Sequence, residues 1–260
     1  ISKSNVLKPY IIGGSEASGG AFPWQVSLQR RQGGLWGHSC GAVVVNKNFI
    51  LTAAHCINGL SESSLRAVVG TNQLNDKPGT GKTTAHEISQ IIKHEAYSAE
   101  TLANDLALIK VKPDFNLDNS DGFVNSVCLP TEGQKFTQYV TQSGWGTTTV
   151  DAGGQTPSNK LMFISDVPIV SLPKCRSIYG YNQIREGMLC AGAPIDSQQP
   201  PKGFCQGDSG GPLTQKGPNN RAVLVGISAF NRRCASADGI PDVFVEISYY
   251  RNWIDKNAIE

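Results

Sequence analysis

The stretch CQGDSGGP, residues 205–212, decides the fold of this 260-residue chain. It places Ser209 in a glycine-rich turn, directly after the acidic residue Asp208. A serine hydroxyl is a weak nucleophile until a neighbouring group removes its proton. The turn therefore predicts a reactive serine whose base must come from another part of the chain.

Two other segments carry the partners that such a serine needs. The segment LTAAHC, residues 51–56, offers His55 as a base, and NDLAL, residues 104–108, offers Asp105 as an acid that orients the imidazole. Each motif alone occurs in unrelated proteins. The three together, in the order His, Asp, Ser, indicate nucleophilic catalysis by serine.

At these three motifs the chain resembles the trypsin and chymotrypsin family of serine endopeptidases, from Ile11 to its end. The resemblance implies that His55 accepts the proton of Ser209 during attack on a peptide carbonyl and returns it to the leaving amine. Asp105 would then hold the imidazole in the required tautomer. The resemblance also implies an oxyanion hole built from the backbone N–H groups of Gly207 and Ser209.

Composition argues against several classes of protein. The net charge is only +2, with 17% charged residues, so the chain lacks the basic surface of a nucleic-acid-binding protein. It has no uninterrupted apolar stretch of the roughly 18 residues that a membrane span requires. We therefore expect a soluble monomer without nucleic-acid or membrane partners. Protein or peptide substrates and an activating protease are the partners that the resemblance implies.

The seven cysteines indicate an oxidising compartment, although composition alone leaves a zinc site or buried thiols open. Spacing argues against zinc, because no CxxC pair occurs. The resemblance implies three disulfides, which pair Cys40 with Cys56, Cys175 with Cys190, and Cys205 with Cys234. Cys128 is left as a free thiol or as half of an intermolecular bridge. We expect a secreted, extracellular protein with no metal and no cofactor.

Short β-rich runs separated by Gly, Asn, Pro and Ser predict an all-β barrel or sandwich. Near the C-terminus, Tyr250, Trp253 and Ile254 follow helical spacing after Ser248, a residue type that caps helices. The resemblance implies two six-stranded antiparallel β-barrels with a C-terminal helix, the chymotrypsin-like fold. The expected boundaries are about 25–115 for barrel one, 116–134 for the linker, 135–245 for barrel two and 247–258 for the helix.

The run from Ile11 to Gly14, IIGG, resembles the mature N-terminus that relatives expose by cleavage. In relatives the new ammonium group pairs with the acid before the catalytic serine, here Asp208. We therefore expect residues 1–10 to be an activation propeptide, cut after Tyr10, and residues 11–260 to be the peptidase domain. The uncleaved chain should have misaligned oxyanion donors. An ordinary ordered N-terminal extension is the alternative.

The predicted side-chain pocket departs from that of the relatives. Gly203, followed by Phe204, stands at the base of the pocket, where trypsins carry an acid. Asp242 stands on the opposite wall, where glycine is usual. A carboxylate at this position would receive Lys or Arg from a substrate.

The family sequence Ser-Trp-Gly is replaced by Ser228, Ala229 and Phe230 in this chain. The resemblance places Ser228 where its hydroxyl hydrogen-bonds Asp105. It also places Phe230 at the entrance of the pocket, where a bulky ring would favour small substrate residues. A basic or mixed preference, a small or hydrophobic preference and a weakly active site all stay open.

We interpret the chain as a secreted serine endopeptidase in zymogen form, with a basic or mixed preference before the scissile bond. Residues 24–28, WQVSL, and 38–42, HSCGA, are similar to the fibrinolytic proteases of annelid worms. The alternative class is a catalytically weak protease homologue that binds or regulates. Labelling of Ser209 by a fluorophosphonate would separate the two.

Overall fold

The computed structural model describes residues 14–147, 158–192, 203, 205–232 and 239–259. Their regular structure is mainly antiparallel β-sheet. The strands are β1 (Ser15–Glu16), β2 (Gln25–Gln32), β3 (Leu35–Val44), β4 (Phe49–Thr52), β5 (Leu65–Val69), β6 (Thr84–Lys93), β7 (Ala107–Lys112), β8 (Tyr139–Gly144), β9 (Met162–Val170), β10 (Met188–Ala191), β11 (Pro212–Lys216), β12 (Ala222–Phe230) and β13 (Asp242–Glu246). The helices are α1 (Leu172–Tyr179) and α2 (Arg251–Asn257), and 3-10 turns cover Ala54–Cys56, Glu62–Ser64 and Pro218–Asn220.

The first barrel is closed by strands β2 to β7, in the order β2-β3-β4-β7-β6-β5. Aliphatic side chains fill its interior, and the fully buried ones include Leu28, Ile50, Leu51, Leu108 and Ile109. Burying one such side chain contributes roughly 1.5–3 kcal/mol to stability. The packed interior makes this barrel a rigid support for the loops at its rim.

The second barrel runs β9-β10-β13-β12-β11-β8 and closes because β8 also pairs with β9. The two closed barrels confirm the predicted fold. Strand β1 pairs with the free edge of β9, with Ser15 opposite Phe163. The described chain therefore starts on the second barrel, which the expected boundaries did not include, because a two-residue strand shows no alternation in sequence.

Helix α2 is shorter than predicted, since it begins at Arg251 rather than at residue 247. The preceding residues form a turn, in which the Tyr250 N–H donates to the Ile247 carbonyl over 3.1 Å. The Ser248 hydroxyl donates to the carboxylate of Glu246 at 3.3 Å, and no side chain caps the helix. The predicted cap is therefore wrong, because the Ser248 hydroxyl bonds to Glu246 and accepts no hydrogen bond from a helix N–H group.

Helix α1 was not predicted from the sequence. It spans eight residues, with Pro173 in its first turn, where the missing N–H of proline costs no hydrogen bond. Its buried residues are Cys175 and Tyr179, one helical turn apart. Two apolar positions are too few to reveal a helical period.

Candidate active site

His55 and Asp105 form a close pair at the rim of the first barrel. Strand β4 ends at Thr52, and the following 3-10 turn carries His55. His55 Nδ1 lies 2.7 Å from Asp105 Oδ2, and the His55 backbone N–H donates to Asp105 Oδ1 over 2.8 Å. Because a carboxylate only accepts hydrogen bonds, the proton of the neutral ring lies on Nδ1. Nε2 is then left with a free lone pair.

The segment before Asp105 is held in a constrained backbone conformation. Asn104 has φ of 54°, in the left-handed region that asparagine tolerates better than most residues. Its amide nitrogen donates to the Ala96 carbonyl over 2.8 Å, and Tyr250 Oη donates to its Oδ1 over 2.9 Å. These bonds fix the residue next to Asp105 from two sides. Asp105 itself is 1% exposed.

Ser209 is placed by backbone contacts across the two barrels. The Gly41 N–H of β3 donates to the Ser209 carbonyl over 2.8 Å, and the Gly210 N–H donates to the Ser228 carbonyl over 2.8 Å. A Cβ atom at Gly41 would lie 2.7 Å from Gly211 Cα, so only glycine fits at residue 41. This close approach of the two backbones brings the serine turn to the rim that carries His55.

His55 and Ser209 line the same open cavity, of about 320 Å³. In the described part of the chain, no hydrogen bond joins the Ser209 hydroxyl to the imidazole. Bonds of this kind are often long without substrate and tighten in the complex. The structure therefore forms the predicted His–Asp pair and places the predicted serine across a cavity from it.

The peptide between Gln206 and Gly207 is turned so that its N–H faces away from the protein interior. The Thr147 N–H donates to the Gln206 carbonyl over 2.8 Å, and a planar trans peptide directs the Gly207 N–H the opposite way. Gly207 has φ of 95°, which favours glycine. Among the described residues, neither the Gly207 nor the Ser209 N–H has an acceptor. The turn is formed, and the expected misalignment of the donors in an uncleaved chain stays a prediction.

His38 supports this turn, a role that sequence reasoning missed. Its Nε2 lies 2.9 Å from the Gly207 carbonyl oxygen, and its Nδ1 lies 2.8 Å from Ser27 Oγ. Burial lowers the pKa of His38 to about 4, so the ring is neutral near pH 7. A neutral ring then donates from Nε2 to Gly207 and accepts from Ser27. The only sequence signal was the position of His38 two residues before Cys40.

Comparison with known proteins agrees with this geometry. The sequence model of the Trypsin family matches residues 11–254. The chain belongs to the trypsin family. It is 37% identical to Trypsin-1 of Astacus astacus over 252 residues, which cover 96% of this chain and 100% of that protein. It is 36% identical to the venom peptide isomerase heavy chain of Agelenopsis aperta, over 96% of this chain and 100% of that one. Trypsin alpha of Drosophila erecta is 35% identical, over 95% of this chain and 87% of its own length.

This trypsin-family chain is accordingly a serine endopeptidase, a hydrolase that acts on protein substrates. None of the helices in the described ranges is long and apolar enough to cross a membrane.

Asp208 of this endopeptidase is a buried acid whose described partners are backbone N–H groups. It is 1% exposed, and its carboxylate accepts from the N–H groups of Gly146, at 2.7 Å, and Cys205, at 3.0 Å. Burial raises the pKa of Asp208 to about 6. No cation lies within 4 Å of its carboxylate among the described residues. Tyr10 and Ile11, the other predicted activation residues, lie outside the described ranges.

The predicted side-chain pocket is partly described. Gly203 is buried, whereas Phe204 lies outside the described residues. Asp242 is 3% exposed in β13, opposite Ala191 of β10, and it already interacts with another group. Burial and the charge of Asp242 raise the pKa of Tyr179 to about 12. Asp242 is therefore a buried acid of the second barrel, and its place in the substrate pocket stays a prediction.

Ser228 does not make the hydrogen bond to Asp105 that the resemblance implied. Its hydroxyl oxygen accepts from Gln142 Nε2 at 3.3 Å, and no hydrogen bond joins it to Asp105. Ser228 and Ala229 are both buried in β12. Ser228 is thus bonded to the Gln142 amide of β8 instead of to Asp105. The second donor to Asp105 is the backbone N–H of His55.

Phe230, at the end of β12, packs against Tyr179 of α1. A bulge in β12 leaves Ser228 opposite Phe244 and Phe230 opposite Val243, so the extra residue between them turns the Phe230 ring. The ring stands edge-on to Tyr179, with centroids 6.0 Å apart. With Leu102 and Tyr179 it lines a separate cavity of about 440 Å³. The narrowing role of this ring at the pocket entrance stays a prediction.

Two predicted disulfides are confirmed, between Cys40 and Cys56 and between Cys175 and Cys190. Cys205 is disulfide-bonded as well, and its predicted partner Cys234 lies outside the described residues. Cys128 is a free, partly buried thiol.

The one cluster of three potential metal-ligand residues in the described part of the chain does not suit a metal. Ligand atoms of Cys40, His55 and Cys56 lie within 4.8 Å of one another. The two sulfur atoms are bonded to each other, so neither is available as the thiolate that binds a metal.

Proposed function

We propose that Ser209 is the nucleophile of this endopeptidase, His55 its general base and Asp105 the residue that orients the imidazole. The observation that carries this proposal is the pair of hydrogen bonds between His55 and Asp105, because His55 lines the same cavity as Ser209. Asp105 holds the proton on Nδ1, so that Nε2 is free to accept the serine proton.

The reaction proceeds through an acyl-enzyme intermediate. Ser209 Oγ forms a bond to the substrate carbonyl carbon while His55 takes the hydroxyl proton. His55 then delivers that proton to the leaving amine as the C–N bond breaks. A water molecule next attacks the ester, again losing its proton to His55, and the proton returns to Ser209 as the acid product leaves.

The oxyanion formed in each step would be bound by the N–H groups of Gly207 and Ser209. Both donors lack acceptors in the described structure, and the Gly207 peptide is oriented by Thr147 and His38. A donor that is already oriented needs no rearrangement as negative charge develops. Removing one such donor typically lowers the rate by about 100- to 1,000-fold.

The enzyme is made as a zymogen, with residues 1–10 as the propeptide and cleavage after Tyr10. The new ammonium group of Ile11 pairs with Asp208. This part of the proposal is supported by the burial of Asp208 and by its raised pKa, because no described residue supplies a cation to this carboxylate. An activating protease of chymotrypsin-like specificity, or the enzyme itself, makes the cut.

The enzyme prefers Lys or Arg before the scissile bond, because Asp242 supplies a buried negative charge inside the second barrel. A guanidinium or ammonium group that reached this carboxylate would gain a charge-assisted hydrogen bond.

The protein is secreted and acts as an extracellular monomer, with no nucleic-acid or membrane partner. Its disulfides support an oxidising compartment. Fibrin is proposed as a substrate on the similarity of residues 24–28 and 38–42 to annelid fibrinolytic proteases.

A fluorophosphonate probe tests the proposed site. After cleavage behind Tyr10, the probe should label Ser209, and the label should be lost in Ser209→Ala and strongly reduced in His55→Ala. The uncleaved chain should label slowly. A cleaved, folded protein that takes up no label would instead be a binding or regulatory homologue.

A further inference from the structure

We propose that Arg30 selects substrates with an acidic residue within the first two positions after the scissile bond. This inference rests on the proposed function, because it takes Ser209 as the nucleophile. It adds a preference for the substrate residues that follow the scissile bond.

Arg30 shares a cavity with the reacting groups. The cavity of about 320 Å³ that is lined by His55 and Ser209 is also lined by Arg30, Gln206 and the disulfide residues Cys40 and Cys56. Arg30 is exposed, on β2 of the first barrel. Among the described residues that line this cavity, Arg30 and the imidazole are the titratable side chains. A ligand that enters the cavity therefore meets a single positive charge.

The guanidinium of Arg30 has no partner within the described ranges. Its neighbours differ, since Arg31 and Arg66 both lie over the Trp36 ring, with Cζ 5.9 Å and 4.8 Å from the ring centroid. Arg66 also donates from Nε to Gln29 Oε1 over 2.8 Å. Two of the three cations are thus held by the protein, and Arg30 is left for a ligand.

The strand register leaves room beside Arg30. Arg30 stands opposite Gly37 of β3, and a Cβ atom built at Gly37 would meet no heavy atom within 4 Å. A side chain at residue 37 would occupy this open space opposite Arg30. The glycine keeps this space open for a substrate residue.

The position of the cavity decides which part of the substrate reaches Arg30. The residue before the scissile bond is proposed to enter the second barrel, towards Ser228 and Asp242, and neither of these lines the Arg30 cavity. That cavity is lined instead by the Cys40–Cys56 disulfide of the first barrel. Since the peptide passes Ser209 in one direction, the residues after the bond lie over this disulfide and beside Arg30.

A carboxylate is the group that this site fits best. Guanidinium binds carboxylates through paired N–H donors, and a Lys or Arg in the same place would be repelled. The site is exposed, so the gain is the modest one of a surface ion pair, about three- to five-fold in kcat/KM. Salt should weaken this preference, because exposed charges are screened.

Matched peptides test the inference in the activated enzyme. They share one sequence before the bond and carry Asp, Asn or Lys as the first residue after it in one set and as the second in another. The set with the larger Asp-to-Asn ratio in wild type is used for the variants, and active-site titration normalises each preparation. Wild type should cleave the Asp peptide about three- to five-fold better than the Asn peptide. Arg30→Gln should abolish this ratio and Arg30→Glu should favour the Lys peptide, while Arg31→Gln should keep the wild-type ratio.

An Asp-to-Asn ratio near one in wild type, or the same ratio in wild type and both Arg30 variants, would overturn the inference. Failure of the proposed function gives a different result, because Ser209→Ala would then still cleave all three peptides. Raising the salt concentration to about 0.5 M should lower the wild-type ratio and leave that of Arg30→Gln unchanged.

Discussion

The Nε2 atom of His38 lies 2.9 Å from the carbonyl oxygen of Gly207, and this bond ties the first barrel to the turn that carries Ser209. Both flanking peptides of Gly207 are thereby held, since Thr147 binds the preceding carbonyl over 2.8 Å. The orientation of the candidate oxyanion donor depends on a histidine outside the three sequence motifs.

His38→Ala should lower kcat by about ten-fold or more and change KM little. The variant removes the donor to the Gly207 carbonyl, so the Gly207 N–H is less well aligned with the oxyanion, and a fully lost donor costs about 100- to 1,000-fold. Steady-state kinetics on the activated enzyme measure the effect. A kcat equal to that of wild type would show that the turn holds its conformation without His38.

The low pKa of His38 predicts a loss of stability in acid. The unfolded chain takes up a proton near pH 6.5, whereas the folded chain takes it up only near pH 4, so folding becomes less favourable as the pH falls between these values. His38→Gln lacks the titrating group and should lose less stability over this range. Urea unfolding midpoints at pH 7 and pH 4.5 give the comparison. An equal loss in both proteins would remove His38 as the cause.

In the uncleaved chain, Asp208 should change the pH dependence of stability in the opposite direction, so that stability falls as the pH rises. Its folded pKa of about 6 lies above the ordinary value of 3.8, so its contribution to stability is present below pH 3.8 and is lost as the pH rises through 6. The loss amounts to roughly 2–3 kcal/mol. Thermal unfolding of uncleaved Ser209→Ala protein, with and without Asp208→Asn, should show this loss only where Asp208 is present.

Cleavage after Tyr10 should remove that loss, because the Ile11 ammonium group then stabilises the charged carboxylate. If the cleaved and uncleaved Ser209→Ala proteins had the same pH dependence, the pairing of Ile11 with Asp208 would be wrong.

Asp242→Gly should reduce kcat/KM for cleavage after Lys and Arg by on the order of 100-fold, and affect cleavage after Leu or Ala far less. The reason is that a desolvated substrate cation would lose its charged partner. Profiling with a substrate library before and after the substitution measures both classes. Should both fall equally, or should wild type show no preference for Lys and Arg, the specificity does not come from Asp242.

The sequence was sufficient for the groups that lie in contiguous motifs. His55, Asp105 and Ser209 each have distinctive neighbours, and glycine is needed after Ser209 because a Cβ atom at Gly211 would lie 2.8 Å from the Asp208 carbonyl oxygen. The disulfide pairings followed from the resemblance. The two-barrel fold followed from it as well, because short alternating runs alone do not distinguish a barrel from a sandwich.

Other features depend on strand register, which single motifs do not carry. Whether His38 reaches Gly207 depends on how β3 of the first barrel packs against the turn that carries Ser209. The Phe230 ring contacts Tyr179 after a one-residue bulge in β12, and the motif around Ser228 does not reveal this contact. The Ser228 hydroxyl is bonded to Gln142, 86 positions earlier in the chain, and not to Asp105 as expected.

The role of Ser209 as the nucleophile is tested most directly by trapping its acyl-enzyme. The activated enzyme is mixed with an activated ester of known acyl mass, quenched in acid within the first turnover, digested and examined by mass spectrometry. The acyl mass should lie on the peptide that contains Ser209 and should be absent in Ser209→Ala. Wild-type enzyme that turns over the ester and carries the acyl group on another residue, or on none, would contradict the assignment.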